Sequence, residues 1–454
     1  MALPNPPGPA GFDALLRALS TAQANPIDLF VAMRKEYGDI VFLDIFIREN
    51  YFLFKPEYFR HVLSENYQNY RKGSPYEKAE LFLGQGMLNS EGSFWKRQRK
   101  LAQPAFLKSQ VALFSDMMLK HCSTMGDEWA QQSEPFNMHD EMMRLTMNII
   151  ADAMFSMNLS KEAGNVAEAL AFLNEFASDR IRRNFNMPVL VPTPENLKFM
   201  MYSGRLNRLM YNIISERRSA SPAQMSKDLL TALILSKDEE TGEGMSDKEL
   251  RDELMTIFLA GHETTAMAMT MFFTNLAANP EVYRQVADEV RSVEIATVAD
   301  LARLPYTTMV ILENLRINPP AWIVGRRALA DDEIGGYLIK KDIDISMPII
   351  LTHTDPQYYE RPAQFYPEHF SEQAVKARPK FSYLPFGAGP RICIGKSFAE
   401  QEMLLIAWYF LKNFELQHMG NQVELEPLFT LRPKEAIMFT ARKAGSKARA
   451  NQPA

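Results

Sequence analysis

The chain has 454 residues, 46% of them apolar, and a formal net charge of −5 with both signs interspersed. Such a chain can bury a large core, and its charge balance argues against a nucleic-acid binder. Its two cysteines, Cys122 and Cys393, suit a reducing cytosol.

Taken in order, the chain opens with a proline-rich segment, Met1 to Gly11, that holds no apolar run. It reads as neither signal peptide nor membrane anchor. Residues 26–37 read as a helix starting near Pro26, and Asp39–Phe46 with Tyr51–Phe54 as a hairpin. A helix is expected from Pro56 to about Ser64. Lys72–Ser93 reads as irregular and glycine-dotted, with Phe82, Met87 and Leu88 available to line a pocket. In the next helix Trp95 and Arg99 lie one turn apart and share a face, which leaves Lys96, Arg97 and Lys100 toward solvent. Residues 108–236 alternate helical patterns with short breaks. Within them Phe172–Ser203 holds Phe176, Phe185, Met187, Pro188 and Pro192 between two helical stretches. Lys237–Gly244 reads as a surface loop.

Ser246-Asp-Lys-Glu249 is a capping box, and no proline follows until Pro280. A helix of about 32 residues would run roughly 48 Å. Its centre is apolar except for His262, Glu263, Thr264 and Thr265, and charged Glu263 at mid-span argues against a transmembrane helix. Beyond it, Glu313 and Arg316 are three apart on one helix and can pair. Pro319–Arg326 is extended, Ile334–Ile350 reads as strands around Gly335-Gly336, and the last strands are expected within Val423–Ala441. Arg442–Ala454 reads as a disordered basic tail.

The stretch most specific to a chemistry is Phe386-Gly-Ala-Gly-Pro-Arg-Ile-Cys-Ile-Gly395. Gly387 and Gly389 permit a tight loop, and helical spacing of apolar residues follows Cys393. A cysteine at a helix N-terminus is favoured as thiolate, the form that serves as an axial haem ligand. Phe386, Gly389, Arg391, Cys393 and Gly395 match the haem-binding signature of the cytochromes P-450, and the chain resembles that superfamily over most of its length.

The resemblance implies a single domain, mainly α with a smaller β-rich portion, around one buried haem b ligated by Cys393. It implies that Trp95, Arg99, Arg391 and either Arg326 or adjacent Arg327 hold the propionates, with Phe386 and Gly261 against the cofactor. It matches Ala260-Gly-His-Glu-Thr-Thr265 to the oxygen-activation motif. There Ala260 and Gly261 leave room for dioxygen and substrate, Glu263 relays protons from water, and Thr264 hydrogen-bonds the oxygen. Some fatty-acid ω-hydroxylases carry glutamate where this chain has Ala260 and bond covalently to haem, so a non-covalent haem is expected. Phe82, Met87, Leu88, Phe258, Ala260, Ala321, Val324 and Phe429 are the expected pocket residues, beneath a lid at Phe172–Ser203. Glu313 and Arg316 brace the cysteine loop, with His369 standing where the family more often has arginine.

The implied reaction is insertion of one oxygen atom of O₂ into a C–H bond (or C=C) of a hydrophobic fatty acid, terpenoid or steroid. Electrons come indirectly from NAD(P)H, through a separate ferredoxin and reductase or a flavodoxin, which Lys96, Arg97 and Lys100 could dock. A cytoplasmic monomer with no membrane anchor is expected. The rival readings are a peroxygenase, a haem-thiolate isomerase or dehydratase, and a non-catalytic haem sensor; the enzyme rivals commonly lack the acid–threonine pair.

Overall fold

The structure, a computed structural model, describes residues 3–11, 25–44, 49–156, 163–182, 186–420 and 423–445. Helices α1 (Pro26–Tyr37), α2 (Pro56–Arg60), α3 (Ser74–Leu83), α4 (Gly92–Ala102), α5 (Ser115–Gln131) and α6 (Met138–Phe155) form the first half. Then come α7 (Ala163–Arg182), α8 (Pro194–Ser219), α9 (Leu229–Leu235), α10 (Asp247–Ala278), α11 (Pro280–Ser292) and α12 (Pro305–Ile317), with α13 (Ile349–His353) and α14 (Lys396–Asn413) nearer the end.

The 32-residue α10 begins at the capping box read from the sequence. Ser246 Oγ takes the Glu249 amide, and the Glu249 carboxylate takes the Ser246 amide. The helix packs on α6, α8, α12 and α14. Every residue from Leu250 to Thr274 is buried except Ala260, Gly261 and Thr264.

Strands β1 (Ile40–Asp44), β2 (Glu49–Leu53), β3 (Tyr70–Arg71), β5 (Val324–Ala328) and β8 (Asp344–Met347) form one sheet in the order β1-β2-β8-β5-β3. Hairpin β1–β2 is antiparallel as expected, with Ile40 opposite Leu53. The proline-rich arm lies along β1: the Phe42 and Asp44 amides donate to Pro7 O and Pro9 O, at 3.0 and 3.3 Å. A proline lacks the amide donor but keeps its carbonyl, so Pro7 and Pro9 meet the strand edge only as acceptors. Strand β4 (Phe136–Asn137) joins β9 (Phe414–His418) and β12 (Met438–Lys443) in the order β4-β12-β9. Two hairpins complete the β portion, β6 (Asp332–Ile334) with β7 (Tyr337–Ile339), and β10 (Leu425–Pro427) with β11 (Leu431–Pro433).

Three expectations need correction. Lys72–Ser93 is not irregular throughout, because it holds α3; Pro75 sits in the first turn, where its missing amide is harmless, and Gly84 ends the helix at φ 69°. The strands around Gly335-Gly336 stop at Met347, and Ile349–His353 turns helical. The C-terminal tail starts later than Arg442, since Arg442 and Lys443 pair with Glu415 and Phe414 in the sheet. Residues 446–454 of that tail lie outside the described residues, as does Phe185 of the lid.

Candidate active site

The cysteine loop is shaped by its glycines. Gly387 and Gly389 have φ of 69° and 67°, in the left-handed region that side chains avoid. A Cβ on Gly389 would fall 1.8 Å from Leu63 O, so the loop presses on the turn after α2. The Cys393 amide closes the loop on Phe386 O at 2.9 Å. Phe386 thus acts through its carbonyl, and its half-buried ring lies 5.9 Å from Lys396 Nζ.

Cys393 is exposed by area yet surrounded by protein, as befits a sulfur facing an internal space. Burial pushes its thiol up, although the Gly395 and Lys396 amides and the Arg99 guanidinium act to lower it. The helix N-terminus and Arg99 act in the expected direction, without offsetting burial on their own. A metal cation at the sulfur would offset it, because coordination deprotonates a thiol outright.

Facing this requirement, α10 offers its three open positions. Ala260 is exposed and Thr264 half-exposed, one turn apart on the same face. Thr264 Oγ1 donates to Ala260 O at 2.7 Å, so the hydroxyl presents only acceptor lone pairs to the open space. Gly261 serves a different purpose from the one expected. A Cβ there would meet Ile150 Cγ1 at 3.0 Å, so the missing side chain lets α6 approach. The opening is made by Ala260 and Thr264. Glu263 is buried, and both its oxygens accept from Asn174 Nδ2, at 2.7 and 2.8 Å; Oε1 also accepts from Thr430 Oγ1 at 2.6 Å. No sequence motif marked Asn174 or Thr430.

A cluster of cations fills one side of the site. The Arg391 guanidinium stacks on the buried Trp95 ring at 3.8 Å, donates to Ser90 O at 2.8 Å and pairs with Glu91. Burial pushes Arg391 down to about 10. Arg326 is buried, with Nη1 on Gly325 O at 2.7 Å and a lowered pKa caused first by desolvation. Arg327, the rival, is already paired with Asp344 at 2.7 Å and Glu77 at 3.1 Å. A residue missed by sequence reasoning joins them. The Lys72 ammonium lies 4.2 Å from the Tyr76 ring, and burial, with Arg326 and Arg391 nearby, pushes it well below the usual range. Glu91 is the one carboxylate acting on all three cations. Uncompensated buried charge is costly, and the two propionates of a haem are the anions this cluster lacks; the residues fit the cofactor. Arg99 donates to Ile392 O at 2.9 Å and braces the cysteine loop.

The pocket candidates divide. Ala321 is exposed, and Leu88, Val324 and Phe429 are half-buried, the Phe429 ring standing edge-on 6.2 Å from Tyr76. Met87 is nearly closed off, its amide on Glu253 Oε2 at 3.1 Å. Phe258 and Phe82 are corrected to core residues, with exposures of 0% and 2%. Phe258 is wedged between Phe155 and His262, whose ring centres lie 6.3 and 6.0 Å away. In the lid, Phe176 of α7 stacks on Phe199 of α8 at 4.5 Å.

Behind the loop, Glu313 and Arg316 are both 0% exposed and doubly bonded, at 2.7 and 2.8 Å. His369 completes the group. Its Nδ1 faces Glu313 Oε2 at 3.1 Å and its Nε2 faces Glu360 O. On α4, Arg97 does not face solvent: it donates to Glu249 Oε1 and Gly244 O, each at 2.7 Å. Lys100 pairs with Glu239 at 3.1 Å, and Lys96 is exposed.

An exposed cysteine on a glycine loop, an opened long helix and an unbalanced cation cluster fit a haem site. A family model described as Cytochrome P450 matches residues 6–440. Cyclooctatin synthase of Streptomyces melanosporofaciens is 33% identical over 83% of this chain and 82% of its own length. Cyclooctat-9-en-7-ol 5-monooxygenase of the same organism is 31% identical over 83% and 82%. A bifunctional cytochrome P450/NADPH–P450 reductase of Aspergillus oryzae is 30% identical over 97% of this chain but only 42% of its own length. The chain belongs to the cytochrome P-450 family and is a P-450 monooxygenase. Among the described residues no helix is long and apolar enough to cross a membrane.

Proposed function

We propose that the chain hydroxylates a polycyclic or extended hydrophobic substrate of the terpenoid class, with electrons from a separate ferredoxin and reductase. The observation that carries the reading is the pair of openings at Ala260 and Thr264 in a helix otherwise buried from Leu250 to Thr274, with Glu263 beside them. Bound haem would supply the activation of dioxygen and accept the electrons. Cys393 would ligate its iron, while Lys72, Arg326 and Arg391, with Trp95 beneath, would neutralise its propionates. The half-buried apolar groups Leu88, Val324 and Phe429 would orient the substrate and exclude water.

Protons are managed by two residues of α10. Glu263 takes a proton from water and passes it inward, returning to the carboxylate that Asn174 and Thr430 bond. Thr264 gives its own proton to Ala260 O, so it can accept from an O–H of the reacting group and hold it in place. The two similar Streptomyces enzymes, one of them a cyclooctatin synthase, favour a terpenoid over a fatty acid. The two free cysteines, one buried and one at the site, suit a reducing cytosol.

The test uses the haem-loaded chain with a surrogate ferredoxin and reductase. Cyclic terpenoid alcohols and hydrocarbons should shift the iron from low to high spin and yield hydroxylated product, with NAD(P)H consumed in proportion. In Thr264→Ala the substrate should still bind while most NAD(P)H consumption ends as hydrogen peroxide. Full coupling in that variant would show Thr264 to be structural; tighter binding of fatty acids than of cyclic terpenoids would overturn the substrate class.

A further inference from the structure

Glu263 is held by parts of the chain far from its own helix. Asn174 lies on the lid helix α7, and Thr430 in the turn between β10 and β11, next to the pocket candidate Phe429. Both are 8% exposed, and three hydrogen bonds of 2.6 to 2.8 Å run from them to one carboxylate. Such bonds favour the charged acid and fix its direction. Their donors are an amide and a hydroxyl, neither of which titrates near neutrality. Among the described residues Glu263 acts on His262, its neighbour on α10, and on His139 of α6, which also feels Arg432 on β11. Burial lowers both, so each is neutral and neither competes as an ion pair.

We propose that Asn174 and Thr430 are positioning residues for proton supply, holding Glu263 as a carboxylate whose direction is set by two elements that cover the pocket. The inference rests on the reading of Glu263 as the proton donor. One proton enters the carboxylate from water and one leaves it toward the open face at Thr264, so the net charge of the site is unchanged over a cycle. While both covers keep their bonds, the carboxylate is directed at them; when either cover shifts on a bound substrate, the acid loses a donor and can turn. Proton supply is thereby tied to the placement of the lid and the C-terminal hairpin. A structural role alone would need only satisfied hydrogen bonds and would leave the pH response of coupling unmoved.

The experiment compares wild type, Glu263→Gln, Asn174→Leu/Thr430→Val, Thr430→Val alone and Thr430→Ser, all haem-loaded and driven by a surrogate ferredoxin system. The readouts are product per NAD(P)H against pH and the solvent isotope effect on product formation. Removing donors from a carboxylate raises its proton affinity, so the double variant should move the pH midpoint of coupling up by about one unit. Its isotope effect should depart from wild type, and spin shift and substrate affinity should stay. Thr430→Val should show a smaller shift in the same direction and serves if the double variant fails to take up haem; Thr430→Ser should return the wild-type profile. A wild-type midpoint and isotope effect in both Val-containing variants, with coupling lost in Glu263→Gln, would overturn the positioning role and leave Glu263 as donor. Wild-type coupling in Glu263→Gln would overturn the reading of Glu263 itself, and the inference with it.

Discussion

Glu402 lies on α14, nine positions after Cys393, and is 1% exposed. Neither carboxyl oxygen has a hydrogen-bond partner among the described residues by strict geometry. The Thr265 hydroxyl is nonetheless near enough to favour the charged form, and burial overrides it, pushing the acid up to about 8. In the unfolded chain the same group titrates near 4.5. Between those two values the folded state holds a proton that the unfolded state has released, so unfolding gains as pH rises through the window. Stability from this group is therefore complete below about pH 4.5 and lost progressively as pH climbs to about 8. Each unit of the gap corresponds to about 1.4 kcal/mol, so the gap of about 3.5 units amounts to roughly 5 kcal/mol as an upper bound. Glu402→Gln keeps the shape and the neutral state at every pH. Wild type and variant should unfold at similar urea concentrations at pH 5, and the variant should be the more resistant at pH 8.5. The assay is the unfolding midpoint of the haem-loaded protein at four pH values, followed by circular dichroism. Glu253 titrates over the same range in both proteins, also pushed up to about 8 by burial, so it cancels in the comparison. Parallel pH slopes for the two proteins would refute the assignment of a neutral Glu402.

Replacing Cys393 with His should abolish the red-shifted Soret band of the reduced carbon monoxide complex, whereas Cys122→Ser should leave it intact, since Cys122 is wholly buried away from the loop. Lys96→Glu should slow ferredoxin-driven reduction and flatten its salt dependence, because Lys96 is exposed. Arg97→Glu should instead lower the unfolding midpoint, since it breaks a 2.7 Å pair with Glu249; stopped-flow reduction and thermal melts separate the two. His369→Leu should cost about 2 kcal/mol in chemical unfolding by leaving a buried Glu313 oxygen without its ring partner, and His369→Arg should recover most of it.

What was legible in the sequence is what depends on neighbours along the chain. The capping box placed the first turn of α10, and the glycine–cysteine loop and the Glu313–Arg316 spacing are local patterns. Arg326 and Arg327 could not be told apart, because adjacent strand residues point to opposite faces and the sequence does not say which face is inside. The register settles it: Arg327 pairs with Asp344 on β8, which takes its side chain, and Arg326 opposite Ile345 is left for the interior. Arg97 was misplaced for the same reason, since its partner Glu249 lies 152 positions away. Phe82 and Phe258 illustrate a different limit: an aromatic beside a pocket and one behind it have the same sequence signature.

The openings in α10 show why a local bond and a chemical role need not exclude each other. A mid-helix threonine bonded to the carbonyl four residues back is the ordinary way a helix satisfies such a hydroxyl, and Thr146, Thr270 and Thr274 all do it here. Those three are buried, so their acceptor lone pairs meet only packed side chains. Thr264 makes the same bond, but beside exposed Ala260 its oxygen meets open space. The difference between the three buried threonines and Thr264 is thus not the hydrogen bond but what the other side of the oxygen faces. That is set by Ala260 one turn earlier and by Gly261, which lets α6 close the opposite side against Ile150.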